Sequence, residues 1–133
     1  MLYMLDTNIC IYLIKQHPPE VLARMAQMRR GDVVMSVVSY AELRAGLEIQ
    51  SLHRQRDEQV LEMLVERIPV LPMDRTVAES YGILRAAVRD RDRNALDRLI
   101  AAHARSLGAT LVTNNERDFA DYPGLQVDNW VSH

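Results

Sequence analysis

Cysteine occurs once in the 133 residues, at Cys10, so no internal disulfide can form and a cysteine-rich zinc site is excluded. Read on its own, Cys10 is a small buried helix residue. Lysine is equally scarce: fifteen arginines stand against the single Lys15. The formal net charge is −2, so no global basic footprint advertises nucleic acid. The arginine excess suits bidentate phosphate contacts but fits genomic base composition as well. Five glycines are scattered singly, which excludes a glycine-rich phosphate loop. The four histidines share no spacing with a serine or cysteine that would suggest a nucleophilic triad. Apolar runs are too short to cross a bilayer. The first residues lack the basic flank and cleavage site of a secretory signal, so a cytoplasmic protein is expected.

What remains is a globular composition, 48% hydrophobic and 26% charged, in a chain long enough to bury its own core. No repeat, linker or low-complexity tract divides it, so one domain over residues 1–133 is expected. Strands are predicted at residues 1–5, 33–38, 68–71 and 109–113, with an edge strand near 125–127. Helices are predicted between them: 7–15, 20–28, 39–47, 51–67, 74–90, 94–107 and 115–120. The run Val33-Val34-Met35-Ser36-Val37-Val38 is continuous rather than alternating, as expected of a strand covered on both faces. Alternating strands and helices predict a three-layer α/β/α sandwich around a central, mainly parallel sheet.

Four acids then share a setting. Asp6, Glu42, Asp97 and Asp118 each fall in the predicted first turn of a helix that follows a strand or tight turn. Capping explains each one singly. Ser39-x-x-Glu42 fits a capping box, Asn94-x-x-Asp97 and Asn115-x-x-Asp118 resemble one, and Asp6 suits an N-cap. Their neighbours favour chemistry. Asp6 ends a hydrophobic strand, and Asp97 borders the apolar positions Ile100, Ala101 and Ala104. Glu42 precedes Ala45 and Gly46, small residues expected to let another element come close. Carboxylates drawn toward a core need a counter-charge or dense hydrogen bonding. A divalent cation answers that need. Oxygen-only ligands favour Mg²⁺ or Mn²⁺ over zinc, which points to metal-dependent hydrolysis of a nucleic-acid backbone.

Weaker candidates surround these. Thr113-Asn114-Asn115 reads either as turn and cap chemistry or as a ligand for phosphate or metal-bound water. Thr7 and Asn8 either orient Asp6 or cap the first helix. His103 reads as a core histidine with its hydrogen bonds satisfied.

Taken together, these residues resemble a known family. Leu5-Asp6-Thr7-Asn8, Ser39-Tyr40-Ala41-Glu42-Leu43 with Gly46, Asp97-Arg98-Leu99-Ile100-Ala101-Ala102-His103-Ala104, and Val112-Thr113-Asn114-Asn115 with Asp118-Phe119 look like the PIN-domain toxins of the VapC type. Order and spacing match over essentially the whole chain, including the Asn129-Trp130 ending. The resemblance implies a PIN-like nuclease that cuts structured RNA, tRNA foremost, with Mg²⁺ or Mn²⁺. It also implies a toxin of a type II toxin–antitoxin pair that forms homodimers and is silenced in a hetero-oligomer by a VapB-like antitoxin. By the same resemblance Asp6 and Asp97 would be the principal metal ligands. Glu42 and Asp118 would shape the charge and position water, and Thr113 and Asn115 would orient the scissile phosphate. Arg89, Arg91 and Arg93 are read either as an RNA-holding rim or as an ordinary solvated turn. Two departures stand out. Asn115 lies where many relatives carry an acid, and Arg91-Asp92-Arg93-Asn94 occupies a turn where relatives often carry glycine. A catalytically silent RNA- or partner-binding module and a non-toxic RNA-processing nuclease are the competing readings.

Overall fold

The computed structural model describes residues 1–89 and 95–132. Its elements in chain order are β1 (Tyr3–Leu5), α1 (Thr7–Lys15), α2 (Pro19–Ala26), β2 (Val33–Ser36), α3 (Val37–Gln50) and α4 (Arg54–Arg67). They continue as β3 (Val70–Leu71), α5 (Arg75–Ala87), α6 (Ala95–Ser106), β4 (Thr110–Val112), α7 (Glu116–Phe119) and β5 (Gln126–Asp128). The strands form one sheet in the order β3-β2-β1-β4-β5, and every pairing is parallel. Met4 lies opposite Val34 on one side and Leu111 on the other.

Side chains along a strand alternate between the two faces of the sheet, and here both faces are apolar. Met4, Val34 and Leu111 enter one core with Val77 and Leu84 of α5, Ile100, Ala101 and Ala104 of α6, and Phe119 of α7. Leu5, Val33, Met35 and Val112 enter the other with Ile9 and Cys10 of α1, Val21 and Met25 of α2, and Trp130 near the end of the chain. The continuous apolar runs are the sequence record of this three-layer sandwich. Cys10 is fully buried, and that burial raises its thiol pKa.

Local chemistry sets the boundaries. The helix after β2 begins at Val37, two residues before the predicted start, because the Ser36 hydroxyl accepts from the Val38 N–H at 3.1 Å. The capping box predicted from Ser39 to Glu42 therefore does not form. Ser39 lies inside the helix, and Glu42 sits in its second turn rather than its first. Gly108 closes α6 with φ of +65°, and the Ala109 N–H returns to the Ala104 carbonyl at 2.9 Å. His103 is 2% exposed and satisfied within the core, as read from the sequence: its Nδ1 meets the Ser36 hydroxyl at 2.8 Å. Gly46 corrects its expected role. It lies on an exposed stretch of α3, and a Cβ there would meet nothing within 4 Å. Among the described residues, no element makes the predicted close approach to it.

The topology selects one end of the sheet for function. From β1 the chain moves outward to β2 and β3, then returns past β1 to add β4 and β5 on the opposite side. The direction of winding reverses between β1 and β4. In open parallel sheets the crevice beyond the strands' carboxyl ends at such a reversal is where ligands bind. Asp6 follows β1 at this point, and Thr113 follows β4.

Candidate active site

Asp6 occupies the N-cap of α1, and its Oδ1 accepts the Ile9 N–H at 3.0 Å. The cap reading and the site reading thus meet in one residue. Its own N–H donates to the Val112 carbonyl at 3.0 Å, pinning the β1–α1 turn to the end of β4. Asp6 is 7% exposed. Burial raises its pKa, with a further push from Glu42, while hydrogen bonds from the Thr113 side chain and the Ile9 and Asn8 backbones oppose the rise.

Asp97 lies in the first turn of α6 and is half-buried. Its pKa is raised to about 6, first by burial and then by the negative charges of Glu42, Asp6 and Asp118. The acids thus lie near enough for their charges to act on Asp97. Asp6, Glu42 and Asp97 line a cleft of about 360 Å³ with Thr7, Asn8, Ile11, Asn115 and Phe119. A larger groove of about 510 Å³ between α1, α3 and α4, lined by Ile14, Leu43, Leu47 and Val60 among others, holds none of these acids.

Two partnerships sharpen the predicted roles. Thr7 orients Glu42 rather than Asp6: its hydroxyl donates to Glu42 Oε1 at 2.6 Å, across 35 residues of sequence. Asp118 is absent from the cleft lining and accepts instead from Asn115 Nδ2 at 2.5 Å. Asn115 is the side chain facing the cleft, and Asp118 braces it. Asn115 makes no capping bond to the α7 backbone, so the expected capping box is replaced by this side-chain pair. Asn8 contributes its backbone to Asp6 and its exposed side chain to the cleft wall. Of the apolar walls of the cleft, Ile11 carries no sequence reading and Phe119 enters only as the neighbour of Asp118 in the motif. Their positions one helical turn after Thr7 and one residue after Asp118 were the available signal.

Of the arginines read as a possible RNA rim, Arg89 is exposed and does not line the cleft. Arg91 and Arg93 lie outside the described residues, as do Asp92 and Asn94. Among the described residues no lysine or arginine forms an ion pair with any of the four acids. Also among the described residues, no three acidic, histidine or cysteine side chains converge closely enough to hold an ion as they stand. Like charges without a counter-charge keep apart, and Glu42 and Asp118 are tied to Thr7 and Asn115. The donor set, carboxylate oxygens with an amide and a hydroxyl nearby, fits a hard divalent cation.

A parallel α/β sheet whose winding reversal gathers carboxylates that no described basic residue pairs with is an arrangement suited to acid-centred hydrolysis. The model of the PIN domain family matches residues 3–125, and the chain belongs to that family. Ribonucleases of this family generally depend on a divalent metal. The tRNA(fMet)-specific endonuclease VapC of Shigella flexneri is 40% identical over 130 residues, 96% of this chain and 97% of that protein. Ribonuclease VapC2 of Haemophilus influenzae is 39% identical over 131 residues, 97% of this chain and 98% of that protein. Among solved structures, VapBC2 from Rickettsia felis bound to a promoter DNA fragment gives a TM-score of 0.90 at 31% identity, covering 98% of this chain and all of that one. VapBC-1 from nontypeable Haemophilus influenzae gives 0.89 at 36%, covering 99% of this chain and all of that one.

Proposed function

We propose that this chain is a Mg²⁺-dependent endoribonuclease, the toxin of a type II toxin–antitoxin pair, built as one PIN-like domain and acting in the cytoplasm. The observation that carries the reading is the group of acids around one cleft, close enough to raise Asp97 to about 6 and unpaired with any described basic residue. tRNA is the proposed substrate, supported by the name of the Shigella relative. A VapB-like antitoxin is the proposed partner, supported by the likeness to two VapBC structures, and a homodimer the proposed assembly. We expect the antitoxin to present a basic side chain to the acids.

Asp6 and Asp97 would hold the ion, with Mn²⁺ as the alternative to Mg²⁺. When bound, such an ion supplies the positive charge that makes water nucleophilic and steadies the oxygens of a phosphodiester. The residues do the rest. Asp6 is held in place by the Ile9 N–H at 3.0 Å, and the Thr113 side chain and Asn8 backbone further favour its charged form. Glu42, fixed by Thr7, keeps a carboxylate facing the cleft where a water proton can be accepted. Asn115, braced by Asp118, sets the wall against which the phosphate would lie.

The test is cleavage of tRNA by purified protein with Mg²⁺, with EDTA, and in an Asp6→Asn variant. That change keeps the shape and removes the charge. Cleavage should require the metal and fall by at least about 100-fold in the variant while the fold persists. Equal cutting by both proteins would refute the assignment.

A further inference from the structure

The turn after β4 carries two side chains of the site, and their placement depends on residues far from the acids. Thr113 is fully buried. Its Oγ1 accepts the Asn115 N–H at 3.0 Å, and its side chain lies near enough to Asp6 to oppose the rise in that carboxyl's pKa. Asn115 lines the cleft. Between them, Asn114 faces the other way. Its Nδ2 donates to the Tyr12 hydroxyl on α1 at 3.3 Å, and its Oδ1 accepts Asn129 Nδ2 at 3.3 Å.

Asn129 is anchored in turn. Its N–H donates to Asp128 Oδ1 at 2.8 Å, and its Oδ1 accepts the Val131 N–H at 2.9 Å. Asp128 Oδ2 takes an Arg24 guanidinium at 3.0 Å, and that guanidinium lies 5.4 Å over the ring of the buried Trp130. The Asp128 carbonyl accepts the Thr113 N–H at 2.9 Å, so the same residue grips the turn through its backbone.

Both amides are used in both senses. Asn129 must donate to Asn114 while accepting from Val131, and Asn114 must donate to Tyr12 while accepting from Asn129. A carboxylate at position 129 would set acceptor against acceptor. An apolar residue would leave the Asn114 carbonyl without this donor.

We infer that the segment Asp128–Trp130 is a positioning element of the active site, acting through Asn129 and Asn114 to hold Thr113 and Asn115 in register with Asp6. This segment follows residue 125, where the match to the family model ends. The inference rests on the cleft being the nuclease site and names which remote residues set its geometry. None of Tyr12, Asn114 or Asn129 lines the cleft, so each acts through the turn.

The experiment uses the full chain with Asn129→Asp, Tyr12→Phe and the double variant. Three quantities are read: kcat and KM on tRNA, Mn²⁺ affinity of the protein alone, and amide hydrogen exchange at Asn115. Partners that orient metal ligands from outside typically change affinity about 10- to 100-fold when removed. Asn129→Asp should lower kcat about 10-fold with KM within about twofold, weaken Mn²⁺ about 10-fold, and speed exchange at Asn115. Tyr12→Phe should act in the same direction. The double variant should fall short of the product of the two, since both act through one turn. A lower melting temperature with kcat, Mn²⁺ affinity and Asn115 exchange unchanged would overturn the inference and leave a merely structural tail. Wild-type protein that neither cuts RNA nor binds Mn²⁺ would instead overturn the nuclease reading. Exchange at Asn115 would still decide the positioning, and an unchanged rate would refute it.

Discussion

Removing the charge of Asp97 should stabilise the ion-free protein, although the residue is proposed as a metal ligand. A carboxyl shifted from 3.8 to about 6 pays about 3 kcal/mol for its charged form if the whole shift counts. Asp97 is only half-buried, so water screens part of that and about 1–2 kcal/mol remains. Against it stands the favourable position of an acid in the first turn of α6, worth about 0.3–1 kcal/mol. The cost of burial, with the repulsion added to it, wins by about 1 kcal/mol. The sign with pH follows from the raised folded pKa. Below 3.8 Asp97 is protonated in both folded and unfolded chains, and nothing is lost. As pH climbs from 3.8 to about 6 the unfolded chain releases its proton first, and folding stability falls to a plateau. Asp97→Asn has no such loss. Thermal unfolding in EDTA at about pH 7.5 should therefore place the variant about 3–5 °C above wild type, and at about pH 3.5 the gain should vanish. Adding Mg²⁺ should reverse the order at neutral pH, because binding to the native state alone raises its stability and the variant has lost a ligand. A variant less stable than wild type in EDTA, or a gain equal at both pH values, would refute the account of four acids repelling one another.

Two further outcomes follow from named contacts. Thr7→Val removes the donor that holds Glu42, so cleavage should drop about 10-fold with little change in melting temperature; an unchanged rate would show that Glu42 needs no orientation. Leu84→Ala opens a cavity where α5 packs on the sheet, at a fully buried position, and should cost about 2–5 kcal/mol in denaturant unfolding without altering the acids; a loss under about 1 kcal/mol would mean that the core collapses around it.

The parts of this architecture legible in the sequence are those set by short-range chemistry. Met4-Leu5, Val33–Met35 and Leu111-Val112 declare strands covered on both faces because apolar residues follow one another without alternating with polar ones. Asp6 declares a helix start because an acid followed by Thr7-Asn8 can cap only in one direction. The boundary after β2 was misread at Val37-Val38. Those two residues favour a strand by shape, and one hydroxyl at Ser36 overrides them by satisfying an amide of α3. Glu42 reaches the acids from the second turn of α3, held by Thr7, and not from the first turn that the sequence predicts; the competing capping box does not form. Asp118 and Asn115 were both marked, and their spacing of three residues made contact foreseeable. Which of the two faces the cleft depends on how α7 leaves β4, and local pattern carries no trace of that. The bond between Tyr12 and Asn114 spans 102 residues and that between Asn114 and Asn129 spans 15, and neither leaves a periodicity to read.

The order of the strands has a consequence for how the protein is born. β1 is the first strand to leave the ribosome and occupies the middle of the sheet, yet one of its two neighbours, β4, is made only after residue 109. Until then Asp6 sits beside an empty slot: Val112 is not there to hold its amide, Thr113 is not there to hold its carboxyl, and Asp97 has no completed sheet to pack α6 against. A chain halted before β4 carries Asp6 and Glu42 without the strand that completes their cleft.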